Sequence, residues 1–215
     1  MLPVMLDVRR LSVAVTGEGA QTLKRLQMID AARGAHVSVF APEPIEQLRN
    51  LAGARLIGHW PTAQDLKGCA ILFVGDVPRD KGEHLFALGR SQGCLVNVED
   101  VLPLCDFHVP SILRRGDLVM TVSTGGKSPA LAQMIRARIG VAFGPEWEGH
   151  LDAIAELRAA WKAQGCGPAE ITRRTQEAIE AAGWFSPKAA PDHQNSQLEQ
   201  KDPSTNGYSR TSFNE

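Results

Sequence analysis

A glycine-rich turn near the start of the chain most constrains what the chain can fold into. The segment Val13–Thr22, VAVTGEGAQT, places Gly17 and Gly19 between a β-rich run and a helical pattern. In a parallel α/β sheet the first such glycine allows a tight bend, and the second lets the backbone approach a pyrophosphate. The following helix is then expected to offer unpaired N–H groups to the phosphates. The turn therefore predicts a dinucleotide site, with contacts at Gly17, Gly19, Ala20 and Gln21.

Two further loops are expected at the same edge of the sheet. Pro42 and Glu43 follow the second strand, and Glu43 is the nearest group able to accept a hydrogen bond from a ribose hydroxyl. Because no arginine stands there, NAD is favoured over NADP. Asp76 and Val77 follow the fourth strand and are predicted cofactor contacts, although Asp76 could also cap the next helix. Thr22, at the third small position of the motif, is slightly bulky, so a turn without a ligand stays open.

The rest of the first half alternates apolar runs with helical patterns. Strands are expected at residues 11–15, 36–40, 54–57, 70–74 and 94–98, and helices up to residue 33, at 43–51 and at 78–92. Strands that alternate with helices predict a parallel sheet covered on both faces. This half is therefore expected to be an α/β domain.

The second half has a different pattern. Residues 117–123 predict a strand that ends in two glycines, and Ser128 with Pro129 then predicts the N-cap and first position of a helix. Residues 146–164 and 168–182 predict amphipathic helices whose apolar stripe favours helix–helix packing. Residues 187–215 are rich in Pro, Ser, Asn and Gln and are predicted to be a disordered tail.

Charge and composition exclude several classes of protein. The chain has 23 Lys and Arg against 24 Asp and Glu, a net charge of −1, which argues against a general nucleic-acid binder. The sequence contains no run of about 20 apolar residues, the length that a membrane span needs. Its first residues lack the pattern of a secretory signal. The 4 cysteines show no zinc-ligand spacing and no disulfide framework. We therefore expect a cytoplasmic protein with no nucleic-acid or membrane partner and no resident metal.

Five short blocks, taken in their order and spacing, carry a resemblance to a known family. They are Leu2–Asp7, Gly17–Gly19, Asn97–Asp100, Phe107–Ile112 and Val122–Ala132. Together they resemble the precorrin-2 dehydrogenase/sirohydrochlorin ferrochelatase family, the first module of siroheme synthases, from Leu2 to about Phe185. The resemblance implies a Rossmann domain over residues 1–112, a dimerisation and tetrapyrrole-site region over 113–150, and a helical domain over 151–186. It also implies a homodimer.

The resemblance implies a reaction as well. It is the NAD⁺-dependent oxidation of precorrin-2 to sirohydrochlorin, followed in many members by insertion of ferrous iron as a substrate. Asp100 matches the carboxylate that acts as general base, and Ser128 matches the serine of the tetrapyrrole-site loop. Loss of a hydride from a reduced tetrapyrrole is accompanied by loss of a proton, which a positioned carboxylate can take. Glu99 is adjacent to Asp100, but strand alternation is expected to direct it to the other side.

The implied substrate carries carboxylates around its ring, so a locally cationic site is expected. Arg114, Arg115, Lys127 and Arg136 lie in a stretch with a single acid and are predicted substrate contacts. A basic helix face that is only solvated is the alternative for each of them. His108 is a candidate substrate contact that can bring a metal or proton-transfer group near the ring, although a hydrogen-bonded loop histidine is the favoured interpretation.

Three functions remain open at this point. The chain is a two-step enzyme, or a dehydrogenase that leaves iron insertion to another protein, or an NAD-sensing module without catalysis. The first two cannot be separated by sequence, because a chelatase needs only a base and an accessible ring. Asp100 and the intact block Gly125–Pro129 favour an enzyme over the sensing module, since a fold alone does not determine function.

Overall fold

The computed structural model of the 215-residue chain describes residues 2–185. The tail predicted over residues 187–215 lies outside the described residues. The described residues divide into two compact units, one up to Leu151 and the other from Asp152 onward. The domain boundaries predicted at 112/113 and 150/151 stay predictions.

A five-stranded parallel sheet forms the centre of the first unit. Its strands are β1 (Ser12–Thr16), β2 (His36–Phe40), β3 (Leu56–Ile57), β4 (Ile71–Val74) and β5 (Leu95–Val98). The helices between them are α1 (Ala20–Ala31), α2 (Glu46–Ala52) and α3 (Arg79–Ser91). The spatial order is β3-β2-β1-β4-β5, and every neighbouring pair is parallel. The α/β architecture expected from the alternating pattern is confirmed.

Apolar side chains bury both faces of this sheet. Val13 and Val15 of β1 pack with Leu26 of α1 on one face, whereas Ala14 faces the cluster that contains Leu85 of α3. Successive residues of a strand point to opposite faces, so one short apolar strand serves two cores. The burial of strand residues on both sides explains why these strands are continuous apolar runs rather than alternating ones.

The order of the strands creates a switch point beside β1. The chain leaves β1 for β2 and β3 on one side and continues with β4 and β5 on the other. The loops that follow β1 and β4 therefore depart in opposite directions and leave a crevice at the carboxyl ends of the strands. In open α/β sheets ligands bind in that crevice.

A β-hairpin and a helix follow the sheet. The hairpin consists of β6 (Ser111–Arg115) and β7 (Leu118–Val122), which pair antiparallel, and α4 (Pro129–Ala142) comes next. The strand expected at 117–123 is present, but β6 was not expected, since its half-buried residues SILRR have no clear alternation. A positive φ of 55° at Gly116 closes the hairpin. β6 also crosses the boundary predicted at 112/113.

Two more helices complete the described part. They are α5 (Trp147–Ala163) and α6 (Pro168–Ala182), close to the predicted ranges. In the second unit Arg158 Nη1 donates to Thr175 Oγ1 at 3.3 Å, and Gly183 in a left-handed conformation ends α6. No helix among residues 2–185 combines the length and the apolar character needed to cross a membrane.

Candidate functional site

The structure brings the predicted cofactor contacts to one edge of the sheet. Gly17, Gly19, Ala20 and Gln21 form the turn after β1 and the start of α1, while the other predicted contacts follow β2 and β4. Because β2, β1 and β4 are neighbours, these three loops meet at the switch point. The Glu18 side chain ties two of the loops together, since its Oε1 accepts a hydrogen bond from the Glu43 N–H at 2.7 Å. Pro42 precedes Glu43 in the same loop.

Asp76 occupies the N-terminus of α1. Its Oδ2 accepts hydrogen bonds from the N–H of Gly19 at 3.1 Å and of Thr22 at 2.8 Å, and its Oδ1 accepts from the N–H of Gln21 at 3.2 Å. The Thr22 hydroxyl donates to the same carboxylate at 2.8 Å. A β-carbon at Gly19 would lie 2.7 Å from Asp76 Cγ, so this position has room for glycine alone.

These contacts correct two expectations. The N–H groups of the first turn are not all unpaired, because Asp76 accepts from three donors around it. Asp76 does not cap the helix that follows it, since the N-cap of α3 is Pro78 without a side-chain hydrogen bond. The physical reason is the left-handed conformation of Asp76, with φ of 52°, which accompanies a carboxylate directed back at α1. The bulk of Thr22 is explained too, because its buried hydroxyl supports Asp76.

The hydrogen bonds also shift the titration of Asp76. Partial burial by itself raises the pKa of this carboxyl, but the hydrogen bonds from Thr22, Gln21 and Gly19 outweigh it and hold the pKa below its ordinary value. The positive end of the α1 dipole acts in the same direction. The carboxylate is thus an internal anion at the place where an external phosphate is expected.

We expect Asp76→Ala to lower the free energy of unfolding by about 1 kcal/mol at neutral pH, the usual loss for a removed helix cap. Because the folded-state pKa of Asp76 is depressed, its contribution is present above the unfolded-state value near ~3.9 and is lost as the pH falls through the folded-state value. The difference between variant and wild type should therefore narrow in acid. Urea unfolding at a series of pH values from neutral to acidic measures this difference in the free energy of unfolding. A difference that does not change with pH contradicts the stabilising role of the Asp76 carboxylate. Asp152→Ala, an exposed acid on α5, is the control.

The remaining groups at this edge fit an adenine dinucleotide. The N–H of Ala20 has no hydrogen-bond partner within residues 2–185, so one donor of the first turn is available to a phosphate oxygen. Glu43 is exposed in the loop after β2, where a carboxylate can accept from ribose hydroxyls. The loop residues 41–45, APEPI, contain no cation for an additional phosphate. Val77 is half-buried beside Asp76.

A cavity of about 380 Å³ lies at the carboxyl end of β5, beside the loops that carry the predicted cofactor contacts. This volume lies within the range of ordinary small-molecule sites. Its polar and charged lining comes from α1, the end of β5 and the loop after it, the start of β6, the loop after β7, and α4. These side chains are Arg25, Asn97, Glu99, Asp100, Cys105, His108, Ser111, Ser123, Thr124 and Gln133.

Asp100 lies in this cavity on a strained turn. Its φ is 61°, a left-handed conformation that non-glycine residues adopt rarely and that clusters at functional sites. The Nε2 of Gln21 donates to Asp100 Oδ2 at 3.4 Å, so the first turn of α1 touches this carboxylate directly. Glu99 lines the same cavity, contrary to the expectation from strand alternation. The alternation does not extend that far, because β5 ends at Val98 and the chain turns at Asp100.

The chain after Asp100 folds back along β5 and returns His108 to the cavity. Asp106 braces this return, since its Oδ2 accepts from the Val96 N–H at 2.9 Å, and Asn97 Nδ2 donates to the Phe107 carbonyl at 2.9 Å. His108 is half-buried in the lining, and no hydrogen bond joins its ring to another residue within 2–185. Asp100 and His108, predicted from sequence as separate candidates, therefore share one cavity.

Ser128 holds the loop that forms the opposite wall. Its Oγ accepts from the Leu131 N–H at 3.2 Å and caps α4, as the sequence predicts. Thr124 Oγ1 donates to the Ser128 carbonyl at 3.0 Å and accepts from its N–H at 3.1 Å. These bonds close the loop between β7 and α4, which contains Gly125 and Gly126. Thr124 and Gly126 line the cavity, whereas Ser128 does not.

The predicted basic contacts do not line this cavity. Arg115 is engaged elsewhere, because its guanidinium donates to the carbonyls of Phe143 at 3.0 Å and Gly140 at 3.4 Å, where it caps the C-terminus of α4. Arg114 and Arg136 are half-buried, and Lys127 is exposed. Their part in substrate binding stays a prediction.

The residue that the sequence reasoning missed is Arg25. It lies on α1, lines the cavity and pairs with Glu99. A signal was available, since Arg25 falls between Thr22 and Ile29 at helical spacings within the buried stripe of α1. A charged residue in an apolar stripe indicates a partner or a ligand.

No group of three or more His, Cys, Asp or Glu side chains suited to a metal ion occurs among residues 2–185. Cys105 lies in the cavity wall, but burial raises the pKa of its thiol, and its Sγ donates to the Val98 carbonyl at 3.1 Å. A protonated thiol is a poor metal ligand. Asp100 and His108 are the candidate acid–base groups of the cavity.

Comparisons with known proteins agree with this arrangement. Residues 4–111 match the family model described as "Putative NAD(P)-binding", and residues 115–141 match the one described as "Sirohaem biosynthesis protein central". The first match covers half of the chain, and the second begins at the end of β6. The chain belongs to the NAD(P)-binding family of siroheme-biosynthesis proteins. The family expected from the five sequence blocks is thus confirmed.

Curated relatives of this siroheme-biosynthesis family are longer. A siroheme synthase of Nitrosococcus oceani is 34% identical over 161 residues, which are 72% of this chain and 33% of that protein. One of Stutzerimonas stutzeri is 36% identical over 171 residues, 76% of this chain and 36% of that protein. The chain spans about a third of the length of these relatives.

A solved structure shares the fold. The structure titled "SirC, precorrin-2 dehydrogenase" matches with a TM-score of 0.72 at 22% identity, over 86% of this chain and 93% of that one. At this identity the likeness establishes the fold and leaves the chemistry to the residues. The Rossmann-like sheet, with the smaller elements that follow it, is confirmed.

Proposed function

We propose that the protein oxidises precorrin-2 to sirohydrochlorin in siroheme biosynthesis, with bound NAD⁺ as hydride acceptor. The observation that carries the proposal is the position of Asp100. Its carboxylate lies in the 380 Å³ cavity and also contacts Gln21, in the first turn of the dinucleotide-binding helix. A proton acceptor in a cavity beside a dinucleotide-binding turn is the arrangement that dehydrogenation of a ring requires.

In this proposal each of the two loci has a distinct task. The turn at Gly17 and Gly19, with Ala20 and the loop of Pro42 and Glu43, holds the dinucleotide. Glu43 accepts from ribose hydroxyls and opposes a 2′-phosphate, which supports NAD⁺ over NADP⁺. Asp100 takes the proton that the tetrapyrrole loses on oxidation. The left-handed turn fixes the carboxylate at the cavity and keeps it within reach of the ring.

Insertion of ferrous iron is a second candidate activity, supported by one observation. Asp100 and His108 line one cavity, and both can take up protons that pyrrole nitrogens release when a metal enters. Iron is then a substrate that arrives with the ring. The alternative is that another protein performs this step.

One experiment tests these alternatives in sequence. Purified protein is mixed anaerobically with precorrin-2 and NAD⁺, and the spectra of sirohydrochlorin and NADH are followed. Ferrous iron is then added to a separate sample with sirohydrochlorin and no NAD⁺. Sirohydrochlorin without siroheme assigns a dehydrogenase only. Binding of NAD⁺ with neither product overturns the proposal and favours a sensing module.

We also propose a homodimer formed through the region 113–150. The outer edges of β6 and β7 carry no strand partner within residues 2–185, and unpaired edges invite pairing with a second chain. Large apolar side chains of α4 lie open as well, with Met134 62% and Val141 85% exposed. Light scattering at micromolar concentration should give the mass of two chains, and a monomeric mass contradicts this proposal.

A further inference from the structure

Arg25 is the one lysine or arginine among the described residues that line the cavity. The other formal charges there are the carboxylates of Glu99 and Asp100. A tetrapyrrole with carboxylate side chains would meet a negative surface in this cavity if Arg25 were absent. The basic residues expected for this task, including Arg115, do not line it.

The pair between Arg25 and Glu99 leaves hydrogen-bonding capacity unused. Both Nε, at 2.8 Å, and Nη2 of Arg25 donate to the same oxygen, Oε2 of Glu99. Within residues 2–185 the Nη1 group of Arg25 makes no hydrogen bond. A guanidinium carries five N–H donors in a fixed fork, and the pair with Glu99 uses two of them. Here it retains donors that suit a further carboxylate.

The surroundings hold the guanidinium in place. Its central carbon lies 5.9 Å from the centre of the Phe73 ring, and the side chains of Arg25 and Glu99 are 20% and 19% exposed. The backbone of Glu99 is fixed in turn, because its N–H donates to the Val74 carbonyl at 2.8 Å. A cation that is already oriented and partly desolvated binds a carboxylate with little loss of side-chain entropy.

We propose that Arg25 is a substrate-binding residue that receives a carboxylate of the tetrapyrrole, and that Glu99 both orients it and weakens its charge. This inference rests on the proposed function, since it names a subsite of the same cavity. The competing explanation is a structural clamp that only joins α1 to β5. The two explanations differ in what they predict for Glu99→Gln: only a substrate-binding Arg25 makes this change increase the affinity for the tetrapyrrole.

The two partners of the pair should act in opposite directions on binding. Uroporphyrin, a fluorescent tetrapyrrole with carboxylate side chains, is the probe for titration by fluorescence quenching. Arg25→Met removes the cation and should weaken binding about tenfold, the loss of one charge-assisted hydrogen bond. Glu99→Gln relieves the competing charge and should tighten binding several-fold. Weaker binding in both variants, or unchanged binding in either, overturns the inference.

A second ion pair, between Asp30 of α1 and Arg55 in the turn before β3, controls for stability. Arg55 and Asp30 form a similar half-buried ion pair, with Nη1 and Oδ1 at 2.5 Å, away from the cavity. Arg55→Met and Asp30→Asn should lower the melting temperature and leave uroporphyrin binding unchanged. Arg25→Lys should bind with intermediate strength, because an ammonium keeps the charge but loses the planar donor geometry.

Measuring uroporphyrin binding and precorrin-2 turnover separately distinguishes a failure of the subsite from a failure of the proposed reaction. If wild type fails to oxidise precorrin-2 while the opposite shifts in uroporphyrin binding hold, the subsite stands and the reaction is wrong. If wild type is active, Arg25→Met should raise KM for precorrin-2 about tenfold with kcat nearly unchanged, and Glu99→Gln should lower KM. If the enzyme is active and neither substitution changes KM, the subsite is wrong and the proposed reaction stands.

Discussion

Asp100→Asn is expected to lower kcat for precorrin-2 oxidation by a factor of about 10² to 10⁴, the usual contribution of a general base. The amide keeps the shape of the side chain and can still accept a hydrogen bond from Gln21, but it cannot take a proton. Asparagine also tolerates the left-handed conformation of this position, where φ is 61°, so the fold should survive. Alanine lacks that tolerance and would mix strain with the loss of the base.

The measurement combines turnover, cofactor binding and stability. Kd for NAD⁺ by calorimetry and the melting temperature should match wild type, while sirohydrochlorin formation falls. Asp117→Asn, an exposed carboxylate in the hairpin turn outside the cavity, is the control and should keep full turnover. If Asp100→Asn retains wild-type turnover, the base is elsewhere. His108→Asn then tests the imidazole in the same cavity.

The sheet could be predicted from the sequence because its signals are local. Apolar runs bounded by helical patterns predict buried parallel strands, and four of the five observed strands agree with the predicted ranges to within one residue. The exception is β3, which covers Leu56–Ile57 rather than 54–57, because Gly53–Arg55 form a 3-10 turn. The strand β6 escaped prediction because its residues are half-buried in a two-stranded hairpin. Periodicity is weak where neither face of a strand is fully covered.

The contacts of Asp76 and Arg25 could not be predicted in this way. The carboxylate of Asp76 meets the N-terminus of α1 across 54 to 57 positions of chain, and Arg25 meets Glu99 across 74. Such contacts depend on which strands are neighbours, and the strand order follows from packing of the whole sheet. Asp100 and Ser128 were predicted by resemblance, whereas the cavity that contains Asp100 depends on the return of the chain along β5.

The turn at Gly17 has no room for a side chain, so we expect Gly17→Ala to lower the free energy of unfolding by about 3 kcal/mol or more. Gly17 has a φ of 135°, which side chains rarely adopt. A β-carbon there would lie 2.0 Å from the Gly75 carbonyl oxygen and 2.3 Å from Thr22 Oγ1. Relief of these clashes would move both the loop after β4 and the first turn of α1. Urea unfolding measures the loss, and NAD⁺ binding should disappear with the turn.

Gly68→Ala separates backbone strain from the clash. Gly68 also has a positive φ, 77°, but a β-carbon there meets nothing within 4 Å. Its cost should therefore be limited to conformational strain, about 1 kcal/mol, with NAD⁺ binding intact. If Gly17→Ala costs no more than Gly68→Ala and still binds NAD⁺, the close contact between the turn and the loop after β4 is not required. The glycine would then serve the bend of the chain alone.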